Sequence, residues 1–371
     1  MTLLVPPSPQ PSGPQNHSRR GFLRLAGLGV GVGAAGVALT ACGGGSGSSS
    51  GAASASPGQY GTLALQLSWI KNIEFAGEFF ADSKGYYKAA GLDSVNLVTG
   101  PVDSADALVL AKTVDVGLSA PDATARFITE QGAPLKIIGA TFQKNPFCIL
   151  SVEQGKPIRT LADLAGKTVG IQAGTNQQIF AGFLKANGID PASVKQVVVQ
   201  YEPTPLTEKK VDGFMAFLTN EPFLVKQQGF TPVTLAFADN GLPLASETLV
   251  VLQDTIDKDR DKLKAFLKAE IQGWNDAVAD PAAVAKLAVE TYGKDLKLDL
   301  AGQTEQATAQ NELVSTAETK TNGLFTLSDA AVAANLKSLG SMGITVTADQ
   351  LFDLSLVKEV YAENASLKTG S

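Results

Sequence analysis

The sequence predicts an α/β protein of two lobes joined by hinge crossovers. Three observations predict it. From Thr62 onward, short apolar strands alternate with helical segments, the order expected of a mostly parallel sheet with helices on its faces. That unit occurs twice, with breaks near 148–158 and 240–247. After Asp257 the chain is nearly all helix. The length, 371 residues, suits two domains, and a hydrophobic content of 44% can fill their cores.

The first sixty residues read as an address and a tether. Residues Ser18 to Arg24 carry the paired Arg19 and Arg20 ahead of a Gly/Ala-rich apolar run, Leu25 to Leu39. That run is too short and glycine-rich for a good membrane-spanning helix, and it suits the apolar region of a signal peptide. The paired arginines resemble a twin-arginine export signal. Leu39-Thr40-Ala41-Cys42 resembles the lipobox of bacterial lipoproteins, in which the cysteine is lipidated and becomes the first mature residue. Segment 1–41 is therefore expected to be removed. Its loss takes three arginines, no acid and His17, so the net charge falls from −6 to −9 and no histidine remains. Residues 42–60 are the lipidated cysteine and a Gly/Ser/Ala-rich arm that cannot bury apolar area and should behave as a flexible linker.

The first lobe is expected over 61–148 and 247–371, the second over 149–246. Thr62–Trp69 alternates as a strand, and Phe75–Lys84 is helical with Gly85 placed as a stop. Val95–Val98 is a short strand and Ser104–Lys112 a helix that Ser104 can cap. Val114–Leu118, Asp122–Gln131 and Leu135–Thr141 read strand, helix, strand, and Phe147–Val152 is a further apolar run. In the second unit, Lys167–Gln172, Val194–Gln200, Val211–Phe217 and Thr234–Phe237 read as strands. Asn176–Asn187 and Glu221–Gln228 read as helices. Thr248–Leu252 reads as a return strand. The helices Lys258–Val278, Pro281–Tyr292, Leu300–Thr319, Ser328–Met342 and a piece near Leu354–Ala362 are expected to pack back on the first lobe.

Composition narrows the chemistry. A net acidic chain lacks the basic face that nucleic acid requires. One histidine and two cysteines exclude His/Cys zinc sites and Cys-pair redox chemistry, and the mature chain can build no Ser-His-Asp triad. Cys148 lies in an apolar run and reads as a core thiol. No phosphate-loop or dinucleotide fingerprint is present in the mature chain, and no cofactor is implied.

In two-lobe α/β folds, ligands sit at the carboxyl ends of strands, where loops lead into helix N-termini. Those places carry Trp69, Asn72, Glu74 and Phe75 after the first strand, Asp122 after the third and Gln143 after the fourth. The second lobe offers Gly174, Thr175 and Asn176, then Asn220 and Glu221, with Tyr201, Phe217 and Asn240 at the expected edges. The candidate site is Trp69, Asn72, Phe75, Asp122, Gln143, Gly174, Thr175, Asn176, Asn220 and Glu221. Aromatics with amides and a carboxylate suit a flat polar heterocycle, because ring stacking contributes ~0.5–1.5 kcal/mol per pair while polar groups fix orientation.

From about Thr62 to Tyr361 the chain resembles the solute-binding proteins of bacterial ABC importers. It is most similar to the branch related to thiamine-pyrimidine synthase, which includes sulfonate, nitrate and riboflavin binders. The resemblance is carried by Leu67-Ser68-Trp69, Phe75 to Ala81, Lys84-Gly85-Tyr86-Tyr87-Lys88, Asp115-Val116-Gly117, Phe142 to Pro146, Leu161 to Gly170 and Thr219-Asn220-Glu221-Pro222. It implies a class II periplasmic-binding-protein fold that closes by a hinge. It also implies delivery to a permease and an ATPase by a monomer held at the membrane through Cys42. Trp69 would stack on a pyrimidine and Glu221 would hold its ring amine. Riboflavin, an alkanesulfonate or nitrate remain alternative solutes. A lipoprotein enzyme of the same fold is the alternative of a different class. Relatives of this fold that consume an internal histidine need a residue the mature chain lacks.

Overall fold

The computed structural model describes residues 56 and 58–368. Arg19, Arg20, Cys42 and the expected signal segment lie outside the described residues. Ten strands form two five-stranded sheets. The first sheet contains β1 (Thr62–Gln66), β2 (Ser94–Val98), β3 (Val116–Ser119) and β4 (Leu135–Phe142). The second contains β5 (Phe147–Val152), β6 (Thr168–Gln172), β7 (Lys195–Val199), β8 (Gly213–Phe217) and β9 (Pro232–Ala236). Strand β10 (Ser246–Leu252) returns to the first.

The two sheets share one topology, β2-β1-β3-β10-β4 and β7-β6-β8-β5-β9. In each, three parallel strands meet a fourth that runs antiparallel to both its neighbours. That fourth strand is the one adjoining a crossover: β5 arriving in the second sheet, β10 returning to the first. Strand β10 is buried along its whole length, as expected where helices cover both faces.

Helices of the first lobe are α1 (Ala76–Ser83), α2 (Tyr86–Ala89), α3 (Ala105–Leu110, capped by Ser104) and α4 (Pro121–Gln131). The second lobe adds α5 (Thr175–Ala186), α6 (Thr204–Thr207) and α7 (Glu221–Gln227). After β10 come α8 (Gln253–Lys258), α9 (Arg260–Ala279), α10 (Pro281–Leu287), α11 (Leu300–Val314) and α12 (Ala317–Asn322). The chain ends in α13 (Asp329–Met342), α14 (Ala348–Leu351) and α15 (Ser355–Glu363). Among the described residues, no helix is long and apolar enough to cross a membrane.

Three expectations are corrected. The first crossover lies at 143–146 rather than 148–158. Phe147 and Cys148 already pair with Phe217 and Ala216 in the second sheet, so the apolar run belongs to that lobe and not to the first. The C-terminal helices do not pack on the first lobe alone. Met342 at the end of α13 lies over Gly182 of α5, where an added Cβ would sit 2.5 Å from the methionine methyl. Helix α11 also reaches α7 through Lys226 Nζ and Glu305 Oε2 at 2.7 Å. Finally, two expected long helices are interrupted. Leu300–Thr319 breaks at Ser315 because Thr316 opens a new capping box with Thr319. Lys258–Val278 breaks at Asp259, between α8 and α9.

One apolar cluster fills the space between the first sheet and α1, α9 and α15, around Leu65, Phe79, Phe266 and Trp274. A second runs without interruption from Ile137 and Val250 of the first sheet to Ile149 and Val169 of the second. The lobes therefore share a continuous apolar seam beside the crossovers.

Candidate ligand-binding cleft

A cavity of about 460 Å³ lies between the carboxyl ends of the two sheets. Loops after β1, β3, β6 and β8 converge on it, as the switch-point rule expects. Trp69 enters from the loop after β1. That loop is held by Gly100, whose amide donates to the Trp69 carbonyl at 2.9 Å. A Cβ on Gly100 would lie 2.7 Å from the backbone of Leu67 to Trp69, so a glycine is required there for the close approach. The Trp69 ring meets Tyr201 of the second lobe edge-on, with centroids 4.5 Å apart. Phe147 and Phe217 form a second edge-on pair at 4.5 Å on the floor.

The polar lining is acidic. Glu221 opens α7, and its two oxygens accept from the Phe217 amide at 2.8 Å and from Asn220 Nδ2 at 3.2 Å. Burial outweighs those bonds and pushes its carboxyl up to about 7. Asp106 is bonded at both oxygens, by Ser119 Oγ at 2.5 Å and Thr124 Oγ1 at 2.6 Å, and burial raises it too. Glu74 and Glu247 face each other in the first lobe, both raised by burial. Glu247, the second residue of β10, sits at φ 47°, a left-handed conformation unusual for a glutamate, and its side chain lines the cavity. Gln172 is fixed by the Met215 carbonyl at 3.1 Å and by Asn176 Nδ2 at 2.9 Å. Among the described residues, no lysine, arginine or histidine lines the cavity.

Of the ten expected site residues, Trp69, Gly174, Thr175, Asn176, Asn220 and Glu221 line the cavity, as do Tyr201 and Phe217. Four do not. Asn72 is buried and its Oδ1 accepts the Glu74 amide at 3.0 Å, so it builds the turn that delivers Glu74. Phe75 points the other way, into the core beside Phe79. Asp122 is fully buried at the start of α4, where the charge of Arg126 partly offsets its desolvation. Gln143 lies in the crossover, its Nε2 donating to the Ala140 carbonyl at 2.9 Å. Asn240 braces a turn through Nδ2 and the Ala236 carbonyl at 2.8 Å. Ser68, Asp106, Phe147, Gln172 and Glu247 line the cavity without having been expected. The readable signal among them is Glu247, a charged residue at the head of the apolar run Thr248–Leu252.

The thiol is no nucleophile. Cys148 is fully buried, does not line the cavity, and burial with the nearby Glu221 charge holds it well above the usual thiol range. Peptide mapping after treatment of the native protein with iodoacetamide is expected to find Cys148 unmodified. Rapid modification without denaturant would contradict this packing. Among the described residues, no three acidic, histidine or cysteine side chains cluster as a metal site.

Two α/β lobes of one topology, joined by two crossovers and facing a polar aromatic cleft, define the periplasmic-binding-protein architecture. The chain belongs to the NMT1/THI5-like family, which it matches over residues 72–284. It is 26% identical over 232 residues to the riboflavin-binding protein RibY of Chloroflexus aurantiacus. That alignment covers 62% of this chain and 66% of the relative, just under two thirds of its length. The fold is similar to the periplasmic nitrate-binding protein NrtA of Synechocystis PCC 6803 (TM-score 0.62, 14% identity, 85% of this chain and 92% of that one). It is also similar to the aliphatic sulphonate binding protein SsuA of Escherichia coli (TM-score 0.59, 15% identity, 78% and 91% covered).

Proposed function

We propose that this chain is the extracytoplasmic solute-binding component of an ABC importer, and that its cleft takes a small aromatic nitrogen heterocycle such as a thiamine pyrimidine precursor. The observation that carries this reading is the lining of the cleft: two aromatic pairs, several amides and buried carboxylates, with no basic side chain among the described residues. A ring can lie against Trp69 while its exocyclic N–H groups donate to carboxylates, and the Trp69–Tyr201 contact across the lobes then closes over it. Anionic solutes fit poorly, since a sulfonate or nitrate would meet like charge and find no cation. The receptor is proposed to act as a monomer, exported through the Arg19-Arg20 motif, anchored by lipid on Cys42, and delivering its solute to a permease and ATPase.

A second reading, riboflavin, is favoured by the similarity to RibY. An isoalloxazine also offers an aromatic face and a ring N–H donor. Mass spectrometry of compounds released from the purified protein, with a thermal-shift panel of aminopyrimidines, riboflavin and alkanesulfonates, separates the two. A micromolar ligand must contribute about −8 kcal/mol. Trp69→Ala is expected to weaken binding about tenfold by removing ~1–1.5 kcal/mol of ring contact, and to reduce the ligand-induced shift accordingly. A sulfonate that stabilises the protein, with the heterocycles silent, would overturn the choice of solute.

A further inference from the structure

The carboxylates of the cleft differ in how well the protein satisfies them. Asp106 and Glu221 each have a protein donor on both oxygens. Glu74 and Glu247 do not. A single hydroxyl, Ser68 Oγ, stands between them, 2.9 Å from Glu247 Oε2 and 3.4 Å from Glu74 Oε1. A hydroxyl carries one proton, so it can donate to only one of the two. The two carboxyl groups also hydrogen-bond each other, Glu74 holding the proton that Glu247 accepts, and both residues are more than nine-tenths buried at 8% and 4% exposure. A buried carboxyl pair that must share one proton and one hydroxyl, with no counter-ion, is costly. The deficit opens onto the cavity rather than into the core.

We propose that Glu74, Ser68 and Glu247 form a second polar subsite, on the first lobe, that takes a cationic or multiply N–H-donating group of the solute such as an amidinium, a protonated amine or the edge of an aminopyrimidinium. The subsite rests on the reading of the cleft as a solute site. It faces Glu221 of the second lobe closely enough for that charge to act on Glu74. A solute that donates to both lobes ties them together and can displace the proton that the first-lobe pair shares. Closure of the lobes is thereby coupled to the charge of what lies between them.

Benzamidine and its neutral isostere benzamide test this by titration calorimetry on the whole protein. Benzamidine is expected to bind the parent at least 30-fold more tightly than benzamide. That ratio is expected to fall to within about threefold in the double variant Glu74→Gln/Glu247→Gln and to persist in Glu130→Gln, which removes an exposed carboxylate of α4 outside the cavity. The isosteric amides at 74 and 247 relieve the buried carboxyl pair, so melting temperatures at or above the parent's will show that the double variant folds. No benzamidine binding, no preference in the parent, or a preference lost as much in Glu130→Gln as in the double variant would overturn the subsite. The heterocycle reading fails separately. A pyrimidine or flavin whose affinity is unchanged in the double variant keeps the solute and discards the subsite. A benzamidine preference that maps to Glu74 and Glu247 while every heterocycle is silent does the reverse.

Discussion

Gly273→Ala is expected to destabilise the protein by about 3 kcal/mol, at the upper end of what overpacking costs. Helices α1 and α9 cross at a point where glycines face each other. A Cβ on Gly273 would lie 2.1 Å from the Gly77 carbonyl oxygen and 2.8 Å from the Ala81 amide nitrogen. Both are backbone atoms, so no rotamer change relieves the contact, and the helices must move apart. The opposite face is closed as well, because Trp274 lies against Gly77 and is itself fully buried. Separating the pair opens the packing around Phe79 and Phe266 in the principal core. Thermal unfolding should show a midpoint lower by about 5 °C or more. Gly340 is the matched control. It is an exposed helical glycine in α13 with nothing within 4 Å of an added Cβ. Gly340→Ala should stabilise by ~0.5–1 kcal/mol through helix propensity and a less flexible unfolded chain. Equal effects of the two substitutions would sink the account of the crossing.

The strands were legible because their apolar runs are short and bounded, the start of α3 because Ser104 caps it, and α5 and α7 because Thr175 and Asn220 stand where a strand hands over to a helix. Those handovers are also where Glu221 and Gly174 enter the cleft, so that part of the candidate lining follows from chain order. What failed was direction. Asn72, Glu74 and Phe75 stand within one tight turn, and only the fold decides that Glu74 faces the cleft while Phe75 faces the core. Asp106 and Asp122 are both first-turn acids. Asp106 reaches the cavity and Asp122 is sealed beneath it, a distinction set by how α3 and α4 lie on the sheet. Glu247 sits at a backbone angle no residue pattern announces. Phe147 was assigned to the wrong lobe because an apolar strand carries no label for the sheet it joins.

Behind the cleft, Glu270→Gln is expected to stabilise the protein by about 2–4 kcal/mol at pH 9 and by little at pH 5. Glu78 of α1 and Glu270 of α9 are buried close together with no basic partner, and each keeps one oxygen, Oε2, without a hydrogen bond. Tyr87 donates to Glu270 Oε1 at 2.5 Å. Burial pushes the Glu270 carboxyl up to about 8, from an ordinary value of 4.5, and burial with the Glu270 charge raises Glu78. A carboxyl whose folded value lies above its unfolded one holds a proton that the unfolded chain releases. Its stabilising contribution is complete below about pH 4.5 and is lost as pH rises toward 8. Each unit of difference corresponds to about 1.4 kcal/mol, which the mutual interaction of the pair distributes over both groups. The amide at 270 keeps an acceptor for Tyr87 and cannot ionise, so the loss should shrink in the variant to what buried Glu78 alone contributes. Urea unfolding of parent and variant between pH 5 and 9 reads the difference directly. A difference independent of pH would mean that the pair never changes charge in the folded protein. Glu78 lies one helical turn beyond Glu74, and the charge of Glu247 reaches it. Alkaline titration behind α1 therefore weakens the packing of the helix that follows the Glu74 turn.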